Sequence, residues 1–200
     1  MKKLLFALAV LLPLFVQAQQ EKSRWSLACR TGVGMSYCRA LSTQNPPIGS
    51  AAMIAVGGKY DLNKGWSLLA GLEYQYHNNE ERYSLAIDDL QGNLIDNTAI
   101  INIRSHNYRL PIMAEYHTGW FYVAFGLYYE TCVYVPICYH YFACGGLCFD
   151  IGGRIPLSEN NRLCIGLRPT LGVIYSPVMY DFRFEWEETS ILSVSLEHRF

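Results

Sequence analysis

Between Tyr108 and Tyr129 the sequence YRLPIMAEYHTGWFYVAFGLYY alternates with a period of two on both sides of a short break. In the first half Tyr108, Leu110, Ile112, Ala114 and Tyr116 share one face, and Arg109, Met113 and Glu115 share the other. In the second half Phe121, Val123, Phe125, Leu127 and Tyr129 oppose Tyr122, Ala124, Gly126, Tyr128 and Glu130. Successive side chains of a strand point to opposite faces, so the pattern predicts an antiparallel hairpin turning at His117–Trp120. Its apolar face has aromatic residues at both ends, and its other face holds charge and glycine. That is the arrangement of a membrane barrel strand, with lipid outside and polar or small residues inside.

The rest of the chain supports the same reading. Only 16% of residues are charged, against about 25% in a typical soluble domain. Hydrophobic residues make up 51%, and Tyr occurs fifteen times. Lys2 and Lys3, an apolar run from Leu4 to Val16 and the small residues around Ala18 have the plan of a signal peptide cleaved near Ala18. This divides the chain into an export signal, 1–18, and a single domain, 19–200. The triplet Leu27-Ala28-Cys29 loosely resembles a lipidation site, but Gln19–Arg24 separates it from the apolar run and Cys29 fits a strand.

Alternation predicts six further segments besides the two hairpin strands, for eight strands in all: Trp25–Tyr37, Ala51–Leu62, Trp66–His77, the two hairpin strands, Cys144–Leu157, Arg162–Tyr175 and Thr189–Phe200. The breaks Asp61–Gly65, His117–Trp120 and Ser158–Asn161 are short, while Cys38–Ser50, Asn78–Thr98, Thr131–Ala143 and Ser176–Glu188 are long. Asn78–Thr98 reads most simply as a large loop, with Arg82–Ile87 and Ile100–His106 able to extend the neighbouring strands beyond the membrane. Eight is the small end of the outer-membrane range, and such barrels carry short periplasmic turns and long outer loops. The expected fold is therefore all-β, a transmembrane antiparallel up-and-down barrel. The uncharged stretch Thr131–Phe149 is nearly long enough for a membrane helix, but Pro136, Gly145-Gly146 and the flanking hairpin patterns favour strands.

The predicted inward face collects Arg30, Lys59, Glu73, Arg109, Glu115, Glu130, Asp150, Arg154, Arg168, Glu197 and Arg199. A one-residue slip of any strand would turn such groups toward lipid, where a basic residue at the midplane costs about 2–4 kcal/mol. Both signs are present, so the groups can pair. An eight-stranded interior is about wide enough to be filled by side chains. The expectation is a structural charge network that plugs the barrel, ahead of a conducting or catalytic lumen.

Signals for chemistry are sparse. His77, His106, His117, His140 and His198 have no metal-ligand spacing. Cys132, Cys138, Cys144 and Cys148 surround His140 without a closed zinc-site pattern; unpaired apolar cysteines are favoured over disulfides, and both over a metal. No nucleophile elbow, phosphate loop, dinucleotide fingerprint or metalloprotease motif occurs, so neither catalysis nor a cofactor is expected. Ser105-His106 and Ser84 near the outer rim are the best candidates for a lipid-modifying enzyme. Near-zero net charge without basic blocks argues against nucleic-acid binding. Tyr180, Phe182, Phe184 and Trp186 alternate with acids in the last long loop, where plain loop packing is favoured over an extended last hairpin that offers an edge or patch to an envelope partner.

The segments Tyr108-Arg109-Leu110-Pro111-Ile112-Met113-Ala114-Glu115-Tyr116 and Phe121-Tyr122-Val123-Ala124-Phe125-Gly126 resemble the PorT-like outer-membrane β-barrel proteins of Bacteroidetes. Leu-Pro-Ile stands here where that family has a Leu-x-Ile-Pro-like strand. The alternate residues Leu192, Val194, Leu196, His198 and Phe200 resemble the terminal signal read by the barrel-assembly machinery, with His198 departing from the usual apolar residue. The resemblance implies a Gram-negative outer-membrane location among outer-membrane lipid. Its founding member is associated with protein secretion, and no motif carries that role to this chain. The expected function is a structural or interaction barrel acting through its long loops. Alternatives are a lipid-modifying enzyme, a secretion-system component and a soluble lipocalin-like binder, the last requiring the opposite placement of charge.

Overall fold

A computed structural model describes residues 24–39, 48–62, 65–88, 94–135, 142–175 and 185–200. The segment 1–18, His140 and the loop aromatics Tyr180, Phe182 and Phe184 lie outside them. Eight strands form β1 (Trp25–Arg39), β2 (Gly49–Asp61), β3 (Trp66–Asp88), β4 (Leu94–Thr118), β5 (Phe121–Val135), β6 (Phe142–Pro156), β7 (Asn161–Tyr175) and β8 (Glu185–Arg199). Each pairs antiparallel with its neighbours in sequence, and β8 pairs with β1 to close a barrel.

The closure is staggered. Stepping between partners from Tyr76 on β3 through Ala52, Val33, Leu192, Leu167, Ile151, Val123 and Tyr116 returns to β3 at Trp66, ten residues from the start. Such a stagger requires the strands to tilt, typically by about 35–45°. Two ladders are interrupted. Between β3 and β4 the pairing skips Leu110 and Pro111, and between β6 and β7 it skips Arg168 and Pro169. Proline has no N–H to give, and each one keeps a partner on its other side, Tyr128 and Ser190.

The short turns close the barrel at one end. Gly119 has φ +52°, and no other described residue has positive φ, so Gly119-Trp120 forms a two-residue turn with glycine in the first central position. That geometry matches the twist of a hairpin. The Leu157–Asn161 turn is held by Leu157 N–H donating to Asn161 O (2.9 Å) and Asn161 N–H donating to Ser158 Oγ (3.1 Å).

Burial is inverted relative to a soluble protein. Among the described residues nineteen polar or charged residues are buried against nine apolar ones, and twenty-eight large apolar residues are exposed. Soluble monomers rarely expose apolar patches beyond a few hundred Å². The exposed residues are ordered: aliphatic ones such as Ile54, Leu72, Ile112, Leu127, Ile151 and Leu192 form a belt between two aromatic girdles. At the short-turn end Trp25 packs on Tyr60 (4.9 Å) and Trp66 on Tyr116 (5.2 Å). At the other end Tyr74, Tyr76, Tyr108 and His106 form a second cluster. Among the described residues the predicted inward charges other than Arg199 lie inside and the large apolar residues of the predicted outer faces lie outside, and the fold class expected from alternation is the one observed.

Strand lengths differ from expectation. Asn78–Thr98, read most simply as a large loop whose flanks Arg82–Ile87 and Ile100–His106 could extend the neighbouring strands, takes the extended form: it belongs mostly to β3 and β4, which pair as far as Asp88 and Leu94. β4 thus begins fourteen residues before Tyr108. Thr131–Val135 and Phe142–Ala143 likewise extend β5 and β6, and Glu185–Glu188 extends β8. Beyond the membrane neither face has to be apolar, so the lipid-driven alternation fades while backbone pairing continues. The helix alternative for Thr131–Phe149 is excluded over its described part, which is strand. Cys29 sits within β1, opposite Val56 and Leu196, as a strand residue.

Inside, Tyr122 and Tyr128 project from β5 across glycines on β6 and β7. A Cβ built on Gly166 would lie 2.3 Å from Tyr122 Oη and 2.8 Å from Asp150 Oδ1, and one on Gly146 would lie 2.8 Å from the Tyr128 ring. The rings occupy the room that absent side chains leave. Apolar contact inside is otherwise confined to two small clusters, Met113–Ala124–Tyr128–Cys148 with Leu69, and Ala51–Met53–Ile191. Replacing Gly166→Ala is expected to destabilise the barrel by about 1–3 kcal/mol through overpacking. Part of that loss should return in Gly166→Ala/Tyr122→Phe, which removes the nearest atom; urea unfolding in detergent micelles measures both.

Candidate functional site

The most distinctive constellation is the charge-filled interior. Alternation brings one inward residue from every second position, and the stagger of the wall decides which of them meet. At the short-turn end Glu115 of β4 lies between Lys59 of β2 (2.8 Å) and Arg154 of β6, to which it is directly bonded. Glu197 of β8 completes the group, 3.5 Å from Lys59 and 3.9 Å from Arg154. Two acids thus share two bases.

Above it, Arg30 of β1 bonds Asp150 of β6, which also accepts a hydrogen bond from Tyr122 Oη (3.1 Å). Arg168 of β7 pairs with Glu73 of β3 and rests a second nitrogen on Met113 Sδ (2.9 Å). Higher still, Arg109 of β4 bonds Glu130 of β5 and donates to Thr170 Oγ1 (3.1 Å). Toward the far rim the charges give way to an uncharged trio. His77 Nε2 donates to Gln75 Oε1 (3.0 Å), and Asn107 Nδ2 approaches His77 Nδ1 (3.4 Å).

Two of the guanidiniums also lie over the interior rings, Arg109 at 4.5 Å from the Tyr128 centroid and Arg154 at 5.2 Å from Tyr122. Such contacts add about 0.5–2 kcal/mol each. Sequence reasoning placed both tyrosines on the inner face without giving them a role. The available signal was the glycines at inward positions of the neighbouring strands, Gly146, Gly152 and Gly166, which leave space for a ring.

The residues expected inside are placed as follows. Arg30, Lys59, Glu73, Arg109, Glu115, Glu130, Asp150, Arg154, Arg168 and Glu197 are drawn together within the barrel, five of each sign. Arg199 is different: its side chain is 36% exposed at the rim, 3.5 Å from Asp61, itself bonded by Ser67 Oγ (2.7 Å). The last residue of β8, it has passed beyond the enclosed part of the wall. Leu192, Val194 and Leu196 face outward on β8 and His198 meets Asn161 (2.9 Å) and stacks edge-on with Phe200.

The ten charges balance, so the interior carries no net charge of its own. An interior cavity of about 50 Å³, lined by Ala28, Ala55, Leu69, Met113, Glu73 and Arg168 among others, has room for water alone. Ser105 and His106, the paired enzyme candidates, are separated by the wall itself. Ser105 shares the side of Asn107 and Arg109, while His106 joins the outer aromatic cluster and shares a hydrogen bond with Tyr74 Oη (2.6 Å). Adjacent strand residues cannot act on one substrate atom from opposite faces. Among the described residues no group of His, Cys, Asp and Glu has metal-site geometry, and Cys29, Cys148 and Cys164 are free thiols.

No protein-family model matches the chain, and no curated protein matches it. Solved structures do. The crystal structure of Neisserial surface protein A (NspA) is similar with a TM-score of 0.55 at 15% identity, covering 89% of this chain and 98% of that one. The outer membrane protein OprG from Pseudomonas aeruginosa is similar with a TM-score of 0.55 at 10% identity, covering 90% and 97%. At these identities the likeness is one of fold: a small outer-membrane-type β-barrel over nearly the full length of each.

The network's geometry ranks its members. Glu115→Gln leaves Lys59 and Arg154 short of their shared acid, an uncompensated burial expected to cost about 3–5 kcal/mol. Asp61→Asn at the exposed rim pair is expected to cost no more than about 1 kcal/mol. Urea titration followed by the gel mobility of folded and unfolded barrel compares the two directly.

Proposed function

We propose that this chain is a structural and interaction barrel of a Gram-negative outer membrane, anchored by its wall and acting by contact through what it projects beyond the lipid. The observation that carries this is the β3–β4 hairpin. It runs ten residues per strand past the last pairing with β2 and β5, at Asn78 and Arg104, to Asp88 and Leu94. At about 3.4 Å per residue this is a ribbon roughly 30 Å tall. It rises from the end opposite the short turns, and in such barrels the short turns face the periplasm. The aliphatic belt and paired aromatic girdles support the membrane setting. The predicted export segment 1–18 and the C-terminal pattern Leu192–Phe200 support delivery by the barrel-assembly machinery.

The balanced, filled interior favours contact over transport, and the placement of Ser105 and His106 on opposite faces of β4 disfavours a lipid-modifying enzyme built on that pair. A soluble lipocalin-like binder would need apolar residues inside, where this barrel holds ion pairs. A closer affiliation with the PorT-like proteins, and with it a part in protein secretion, rests on the Tyr108–Tyr116 and Phe121–Gly126 segments alone.

The folded protein should run faster on a gel before boiling than after, and should stay with outer-membrane fractions under detergent-free extraction. Release into detergent-free buffer would sink the membrane reading. Ser105→Ala and His106→Phe should each leave envelope lipid profiles unchanged, and altered lipid in either would revive the enzyme. Crosslinkers placed in the ribbon of intact cells should capture an envelope partner that crosslinkers in the short turns do not.

A further inference from the structure

The ribbon has two edges, and they differ in kind. Past Ser50↔Asn78 and Arg104↔Val135, β3 and β4 pair only with each other, from Asn79↔Ile103 to Asp88↔Leu94. No other strand among the described residues flanks them there. A lone two-stranded pair is marginal in water and gains stability from a third strand. Among the described residues each outer edge also presents a row of backbone N–H and C=O groups outside any ladder, which natural proteins usually guard with charge, proline or a bulge.

The β3 edge is guarded: residues 79–88 include Glu80, Glu81, Arg82 and Asp88. The β4 edge is not. From Leu94 to Ile103 it has no Lys, Arg or Pro and a single charge, Asp96, while Ile95, Thr98, Ile100, Ile101 and Ile103 are β-branched. The register runs without a skip along its whole length, so no bulge turns the edge aside. Register pairs Glu81 with Ile101, Tyr83 with Ala99, Leu85 with Asn97 and Ile87 with Ile95, so these positions share one side of the ribbon. The ribbon's charged residues are four acids and one arginine.

We propose that the β4 edge between Leu94 and Ile103 takes up an extended, basic polypeptide segment of a partner protein as a third strand. The proposal rests on reading the ribbon as the contact surface, and it names how that surface recognises what it meets. A strand edge is complementary to another backbone, which makes main-chain hydrogen bonds the source of affinity and alternate side chains the source of selectivity. Apolar residues at every second position of the incoming segment would continue the Ile-rich face. Lys or Arg between them would answer the acidic excess, which speeds encounter and rejects acidic competitors.

The full-length barrel in phosphatidylcholine nanodiscs tests this with three ten-residue probe peptides. One alternates Val or Thr with Lys, the second replaces every Lys with Glu, and the third is the basic peptide with two central prolines. Amide exchange is followed across the chain. The basic peptide should bind at least about tenfold more tightly than either control, a difference of about 1.4 kcal/mol. It should also slow exchange at alternate amides between 94 and 103. Equal binding of the proline peptide, or protection confined to other segments, overturns the proposal. Thr98→Lys/Ile100→Lys should guard the edge and abolish the preference while the ribbon's own exchange pattern in the absence of peptide persists. Retained preference in that variant likewise overturns it. Partner capture through the ribbon in cells without strand-selective peptide binding would leave the contact role standing and remove this mode alone. Selective peptide binding by a protein that is absent from the outer membrane would do the reverse.

Discussion

Within hydrocarbon a backbone N–H or C=O has no water to turn to, so a sheet can cross a membrane only by having no edge. The pairing of β1 with β8 is therefore the contact on which the rest of the structure depends. It converts seven hairpin-like pairings into a closed wall and in doing so defines an inside and an outside. Once the wall is closed, each strand's two faces have fixed and opposite tasks. The ion pairs, the aromatic girdles and the interior rings all follow from that division.

Closure also explains how the interior can hold so much charge. Desolvating an ion is expensive, and attraction offsets the expense only where the geometry is good and further hydrogen bonds are made. A stagger of ten positions over eight strands brings together residues far apart in sequence: Lys59, Glu115, Arg154 and Glu197 come from four different strands. The ring faces of Tyr122 and Tyr128 give two guanidiniums an additional partner, and inward glycines make room for those rings. Even the two ladder gaps at Pro111 and Pro169 are tolerable because each proline remains paired on its other side.

Much of this was legible in the sequence, and for a physical reason. Where a strand separates lipid from an ionic interior, the contrast between its faces is as large as side chains allow, so alternation in Tyr108–Tyr129 or Arg162–Tyr175 reads clearly. The contrast vanishes above the membrane. Asn78–Thr98 accordingly looks like a loop, although most of it is paired backbone. Which charge meets which was also out of reach, since Glu115 finds Arg154 through the stagger of the wall rather than through any local spacing. The separation of Ser105 from His106 was, by contrast, implicit in strand geometry. Neighbours in sequence made a tempting pair, and the same alternation that identified the strand places them on opposite sides of it.

The two parts of the molecule therefore obey different constraints. The barrel is over-determined: closure, register and paired charge each resist change, and slipping one strand would breach all of them. The ribbon is bound by none of these. Among the described residues each of its strands pairs with the other alone, so its outer backbone groups can be satisfied by water. Elements that exchange partners are drawn from the less stable end of a structure. A wall that cannot rearrange is a poor place for recognition but a firm base for it, whereas a two-stranded ribbon held upright by that base can accept a third strand without disturbing the membrane seal.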